Sequence, residues 1–265
     1  MSHDFEFVRL VGEERRVGPT LASVSRHWQE KKERFLFISP HDDDIALGAG
    51  LFIQHACQQK IPVYVLIVTD GSMGYCRLQD KGKISEIRKK ETYDCYALLG
   101  VPRDNVLWLG FPDGGLGHCC GRRVALPSDA PAVVQEGFTG LQNAFTVALR
   151  KIRPTQCFLP TINDLHPDHK ITYEEFMISV FHASGKIWPE LGAPLDAIPH
   201  LHEVAVYCDF STPPNVRIRA SEDVFEQKLN AILAYKSQEQ IQSIIDSVRK
   251  TGAGEFLKNI EFNLY

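Results

Sequence analysis

The chain has little of what would tie it to a membrane, a nucleic acid or a nucleotide. Among its 265 residues no apolar run approaches the roughly 20 residues needed to cross a bilayer. Residues 1–18 are charged throughout and lack the apolar core of a secretory signal, so a cytoplasmic location is expected. A formal net charge of −4 gives no electrostatic reason to expect nucleic acid or an anionic membrane as partner. No G-x-G-x-x-G follows the first apolar run and no G-x-x-x-x-G-K-[ST] occurs, which weighs against nucleotides. The seven cysteines show no C-x-x-C spacing. Cys57, Cys95, Cys157 and Cys208 sit among apolar residues, where a free thiol behaves as a small hydrophobe, and the adjacent Cys119-Cys120 lacks the spacing of a metal or redox pair. No repeat or break in composition marks a linker, and a single domain over 1–265 is expected, with 1–30 as an arm and helix.

What is present centres on Phe35-Leu36-Phe37-Ile38-Ser39-Pro40-His41-Asp42-Asp43-Asp44. A short apolar run closed by a turn reads as a buried strand, and Ile45, Leu47, Leu51, Phe52 and Ala56 then recur at helical spacing. Acids at a helix start sit where unpaired N–H groups favour negative charge. His41 at the strand end and Asp44 in the first helical turn are thereby placed to converge. Imidazole and carboxylate together begin a zinc or similar divalent site, but two ligands do not hold a metal.

Further strands are expected at Val63–Val68, Val106–Leu109, Cys157–Pro160 and Glu203–Phe210, alternating with helices such as Phe138–Ile152 and Asp168–Ala183. Residues 114–132, rich in Gly and Pro, read as a long loop beside the site. Short apolar strands alternating with helices predict an α/β fold, a Rossmann-like and mostly parallel sheet with helices on both faces. Ligands in such folds bind beyond the carboxyl ends of the strands. Each unusual polar cluster in this chain follows a strand.

The third ligand is therefore sought after another strand, in His166-Pro167-Asp168-His169. His41, Asp44 and one of these histidines leave a position open for water, which is the catalytic zinc pattern; the carboxylate also permits iron, manganese or cobalt. Asp43 adjoins Asp44 and is placed to take a proton from that water, while the second histidine steadies an oxyanion or protonates a leaving amine. Asp168 is placed to orient that imidazole. These parts suit metal-assisted hydrolysis of an amide.

Ser39-Pro40-His41-Asp42-Asp43-Asp44 with His166-Pro167-Asp168-His169 resembles the two motifs of the PIG-L/LmbE-like deacetylases. Asp42 stands where that family has proline and Ile45 where it has glutamate. Thr69-Asp70-Gly71, Arg88 to Glu91, Leu109 to Gly114, Lys228 and Tyr235-Lys236-Ser237-Gln238 are similar to its remaining motifs, in order, so the resemblance covers most of the chain. It implies a zinc-dependent N-deacetylase acting on N-acetylglucosamine-type sugars or their conjugates. His41, Asp44 and His169 are then the metal ligands, Asp43 the general base, and His166 the oxyanion-stabilising or general-acid group supported by Asp168. Asp113 and Arg88 are the implied substrate contacts.

Simpler readings stand beside these. Asp113 fits a Pro-Asp-Gly turn, and Arg88 with Glu91 fits an ordinary helical ion pair. His200 and His202 share a strand face and read as structural. A two-metal phosphoesterase and a non-catalytic sugar-binding domain on the same scaffold are the competing functions. The expected partner is a small amino-sugar substrate; whether the chain forms a homo-oligomer is left open.

Overall fold

The computed structural model describes residues 4–262; the first three residues of the expected N-terminal arm lie outside them. The remainder of that arm is a hairpin of β1 (Phe5–Val11) and β2 (Glu14–Gly18), followed by the short α1 (Leu21–Val24). β3 (Phe35–Ser39), α2 (Asp44–Gln58), β4 (Val63–Thr69), α3 (Ile84–Leu98) and β5 (Val106–Phe111) come next. A small hairpin of β6 (Arg123–Val124) and β7 (Phe138–Thr139) leads to α4 (Leu141–Ile152), β8 (Gln156–Pro160) and α5 (Pro167–Ser184). β9 (His200–Val204), β10 (Val216–Ala220), α6 (Glu222–Ile232), α7 (Ile241–Thr251) and β11 (Gly254–Ile260) complete the chain.

The main sheet has the order β2-β1-β10-β11-β9-β8-β3-β4-β5. The five strands from β9 to β5 are parallel, as expected. The other four add to it antiparallel, so the sheet is parallel only in part. Two of these four break the apolar period with a charged residue at an inward position: Arg9 follows Phe5 and Phe7 on β1, and Glu255 precedes Leu257 on β11. The expected Glu203–Phe210 strand is likewise corrected. β9 starts at His200 and stops at Val204, its polar His202 and Glu203 buried with partners from neighbouring strands, and residues 205–210 form a loop over the site.

Alternation along the parallel strands divides the core. Phe35 and Phe37 face α2, α3 and α6, whereas Leu36 and Ile38 face α4 and α5. Phe37 stacks on Phe158 at 4.3 Å, and burying each such ring contributes about 2–3 kcal/mol. α2 approaches the end of β9 so closely that a Cβ at Gly48 would lie 2.7 Å from Val204 Cγ1 and 2.8 Å from the Ala205 carbonyl oxygen. This contact fixes the amino end of α2, with its acids, against the loop after β9.

Candidate active site

The turn joining β3 to α2 is held from both sides. The Pro40 carbonyl accepts hydrogen bonds from Thr69 N and Oγ1 at 3.1 and 2.9 Å, and Ser39 Oγ donates to the His41 carbonyl while accepting from Ile45 N. Asp43 is the residue before the helix and Asp44 its first residue, close to the expected start. Asp44 Oδ2 accepts the His41 backbone N–H at 2.8 Å, which turns the carboxylate back towards the strand end.

Three side chains meet there. His41 Nδ1 lies 3.1 Å from Asp44 Oδ2, His169 Nε2 lies 3.0 Å from the same oxygen, and the two nitrogens are 3.3 Å apart. The outer nitrogen of each ring faces carboxylates. His169 Nδ1 is 3.1 Å from Asp164 Oδ2; His41 Nε2 is 3.3 Å from Asp113 Oδ1 and 3.5 Å from Asp168 Oδ2. With a cation in the cage, each imidazole is neutral, carries its proton on that outer nitrogen against the carboxylates and turns a lone pair inward. Two imidazole nitrogens and a carboxylate oxygen thus lie within 3.3 Å of one another, an arrangement that needs positive charge among them, from protons or from a cation. Asp44 Oδ1 is also buried with no hydrogen-bond partner among the described residues.

These residues fit a divalent metal. Bonds of about 2.0–2.2 Å place neighbouring donors roughly 3.3–3.6 Å apart in a tetrahedron and about 3.0 Å apart in an octahedron. The observed separations span the two cases, so the spacing alone does not select the ion. The charge balance agrees with the fit. Burial opposes charge on His41 and His169, yet Asp44 and the outer carboxylates overcome it, raising both and taking His169 to about 9. Burial likewise opposes the charge on Asp44, and the two imidazoles pull its carboxyl well below the usual range. The cage collects positive charge, which a bound cation supplies with the imidazoles neutral.

His166 also reaches the cluster, its ring centroid 4.6 Å from that of His41. Its Nδ1 accepts the Asp168 backbone N–H at 3.2 Å, capping α5. A backbone N–H only donates, so the neutral ring carries its proton on Nε2. That makes His166 a hydrogen-bond donor and leaves His169 with the lone pair suited to a metal.

Several expected placements change. Asp168 meets His166 through its backbone; its carboxylate faces His41 and accepts N–H groups from Gly114 at 2.8 Å and Leu116 at 3.4 Å, anchoring the start of the long loop. Asp113 is more than a turn residue: it faces His41 Nε2 and accepts the Met73 N–H. Arg88 is no surface residue. Only 3% exposed, it bonds Asp42 at 2.7 Å and lies 3.2 Å from Asp43, while Glu91 accepts from Ser237 N and Oγ in place of an Arg88 pair. Asp42 points into the protein, held by Arg88 and Thr92 Oγ1, with burial raising its pKa to about 6 against the pull of Arg88.

Asp43 instead borders an open groove of about 650 Å³ that runs along α7, walled by Leu47, Val206, Phe210, Ile244 and Val248. Gln238 Nε2 donates to Asp43 Oδ2, and Tyr235 donates its hydroxyl to the Asp42 carbonyl at 2.7 Å. Gln238 and Asp164 are the site residues to which sequence reasoning gave no role. Asp164 is fully buried and accepts the backbone N–H groups of His166 and Tyr207 while facing His169. The signal for it was available: a metal-binding histidine almost always gives its second nitrogen to an acceptor, and the loop after β8 holds a second acid.

Residues 36–180 match the family model described as PIG-L, GlcNAc-PI de-N-acetylase. A probable N-acetyl-alpha-D-glucosaminyl L-malate deacetylase 2 of Bacillus cereus is 27% identical over 77% of this chain and 82% of its own. Diacetylchitobiose deacetylase of Thermococcus kodakarensis is 27% identical over 78% of this chain and 70% of its own. Among solved structures, N,N'-diacetylchitobiose deacetylase of Pyrococcus horikoshii in complex with an inhibitor superposes with a TM-score of 0.67 at 25% identity, covering 86% of this chain and 84% of that one.

Proposed function

The chain belongs to the PIG-L, or GlcNAc-PI de-N-acetylase, family, and on that premise we propose that it is a zinc-dependent hydrolase removing the acetyl group from an N-acetylglucosamine-type sugar or glycoconjugate. One observation carries this reading: the inner nitrogens of His41 and His169 lie 3.1 and 3.0 Å from one oxygen of Asp44 and 3.3 Å from each other, in a chain whose relatives are sugar deacetylases. His41, Asp44 and His169 hold the ion. Two imidazoles with one carboxylate suit zinc, and also iron, manganese or cobalt.

A divalent ion there supplies Lewis acidity, easing loss of a proton from water and polarising the amide carbonyl. The chain's own groups do the rest. Asp43, at the mouth of the groove, takes the proton from the attacking water and passes it to the departing amine. Gln238 fixes one carboxylate oxygen of Asp43, and Arg88 stands 3.2 Å from that same oxygen. His166, with its proton on Nε2, donates a hydrogen bond to the oxyanion as the carbonyl carbon becomes tetrahedral. Asp113 and Asp168 keep the His41 proton on its outer nitrogen, and Asp164 does the same for His169. The groove along α7 receives the remainder of the substrate.

Asp43→Asn tests the assignment. Acetate release from a panel of N-acetylated sugars should fall roughly 10²- to 10⁴-fold with the metal content unchanged. A wild-type rate would remove Asp43 from the role of base. Metal analysis of the wild-type chain should give one ion; two would turn the reading towards a phosphoesterase.

A further inference from the structure

A second cavity lies at the other end of the sheet. Gln156 and His200, which pair where β8 and β9 begin, line a space of about 380 Å³ beneath the segment after α1. The metal cluster lies beyond Pro160 and Val204, where the same strands end, so roughly 13 Å of strand separates Gln156 and His200 from that end.

Two arginines line this cavity, and among the described residues each is only loosely paired with an acid. Arg9 lines it with a side chain only 4% exposed, and its Nε has no hydrogen-bond partner among the described residues. Glu261, which also lines the cavity, stands 3.8 Å from Arg9 Nη2 and is itself 63% exposed. Arg26 also lines the cavity, tied at 3.4 Å to Glu14. Burial, and then repulsion from Arg26, lower the Arg9 pKa, the sign of an undercompensated cation. His27 and His200, both in its lining, stack face to face at 4.4 Å. Ile198, Leu201 and Phe262 supply an apolar wall. A buried guanidinium with an idle N–H is costly unless something accepts from it.

We propose that this cavity is a second binding site, taking the phosphate or carboxylate group of a small anionic molecule. The oxyanion sits between Arg9 and Arg26, whose planar donors match such groups, and the body of the ligand lies on the apolar wall. Glu261 competes for Arg9 until the ligand displaces it. The site is independent of the deacetylase reading, since none of its residues belongs to the metal cluster.

Calorimetric titration of the metal-loaded protein with inorganic phosphate, and separately with acetate, at constant ionic strength tests this. Binding of phosphate marks a phosphorylated ligand, binding of acetate alone a carboxylate, and binding of neither overturns the proposal. Arg9→Met should abolish the heat. Should that variant fail to fold, two exposed positions decide: Arg26→Ala should weaken binding at least fivefold, and Glu261→Gln should tighten it severalfold. His169→Ala should retain it. Heat that disappears in His169→Ala but is unchanged in Arg26→Ala and Glu261→Gln places the anion at the metal centre and overturns the proposal.

Discussion

Histidines crowd both ends of the sheet, and the two ends treat them oppositely. At the carboxyl ends of the strands, carboxylates raise His41 and His169 against the cost of burial. Towards the amino ends, burial dominates and lowers both His55 and His202 to about 4. His55 lies between the rings of Phe5 and Phe7 and accepts the Leu21 N–H; His202 lies between the amides of Asn259 and Gln156. The fold, the residue type and the depth are shared. What differs is whether an acid faces the ring, so the aspartates, more than the histidines, decide which end can take a cation.

Asp44→Asn should break this contrast outright. It removes the one charge both inner nitrogens face and leaves two imidazoles against an amide, much as at the other end. Losing several kcal/mol of Lewis-acid stabilisation together with the ion should lower turnover roughly 10³-fold or more. Metal analysis beside acetate release checks it. A variant that keeps its ion and its rate would show that the histidines alone define the site.

The part of this contrast that the sequence discloses is the part built on local order. His41 and Asp44 fall three residues apart across a strand-to-helix turn, and His166 and His169 occupy the same junction after β8, so periodicity and the carboxyl-end rule bring them together. The parallel half of the sheet was legible for the same reason. The antiparallel half was not, because Arg9 and Glu255 occupy inward positions and are tolerated only through partners distant in the chain: Glu255 bonds Lys228 at 2.7 Å and the amides of Leu51 and Phe52. The burial of Arg88 was hidden in the same way, since its acids precede it by some 45 positions. The family motif reached as far as Gln238 without saying that its amide would hold Asp43. The buried role of Asp42, where the family has proline, also needed Arg88 and Thr92 in place to be seen.

His55→Gln sharpens the other side of the comparison. An imidazole with a pKa of about 4 when folded and near 6.5 when unfolded takes up its proton preferentially in the unfolded chain between those values. Its contribution is complete above pH 6.5 and is lost as the pH falls towards 4, an effect of about 3 kcal/mol. Glutamine keeps an acceptor for Leu21 but does not titrate. Urea unfolding at pH 7 and pH 4.5 should therefore show the variant losing roughly 2–3 kcal/mol less than the wild type over that interval. Equal losses would mean that His55 is not held neutral by its burial.

The smallest expected effect separates the aspartates themselves. Among the described residues Asp164 is the one carboxylate facing the outer nitrogen of His169, whereas Asp113 and Asp168 both face that of His41. Asp164→Asn keeps an acceptor for that nitrogen but removes the charge that makes the ring a better donor, and should weaken metal affinity roughly 10- to 100-fold. Asp168→Asn should cost less, because Asp113 stands 3.3 Å from the same nitrogen and continues to hold the tautomer. Competition with a chelator at fixed pH ranks the two variants. The reverse order would mean that the Gly114 and Leu116 amides bound by Asp168, and the loop they anchor, matter more to the ion than the proton on His41.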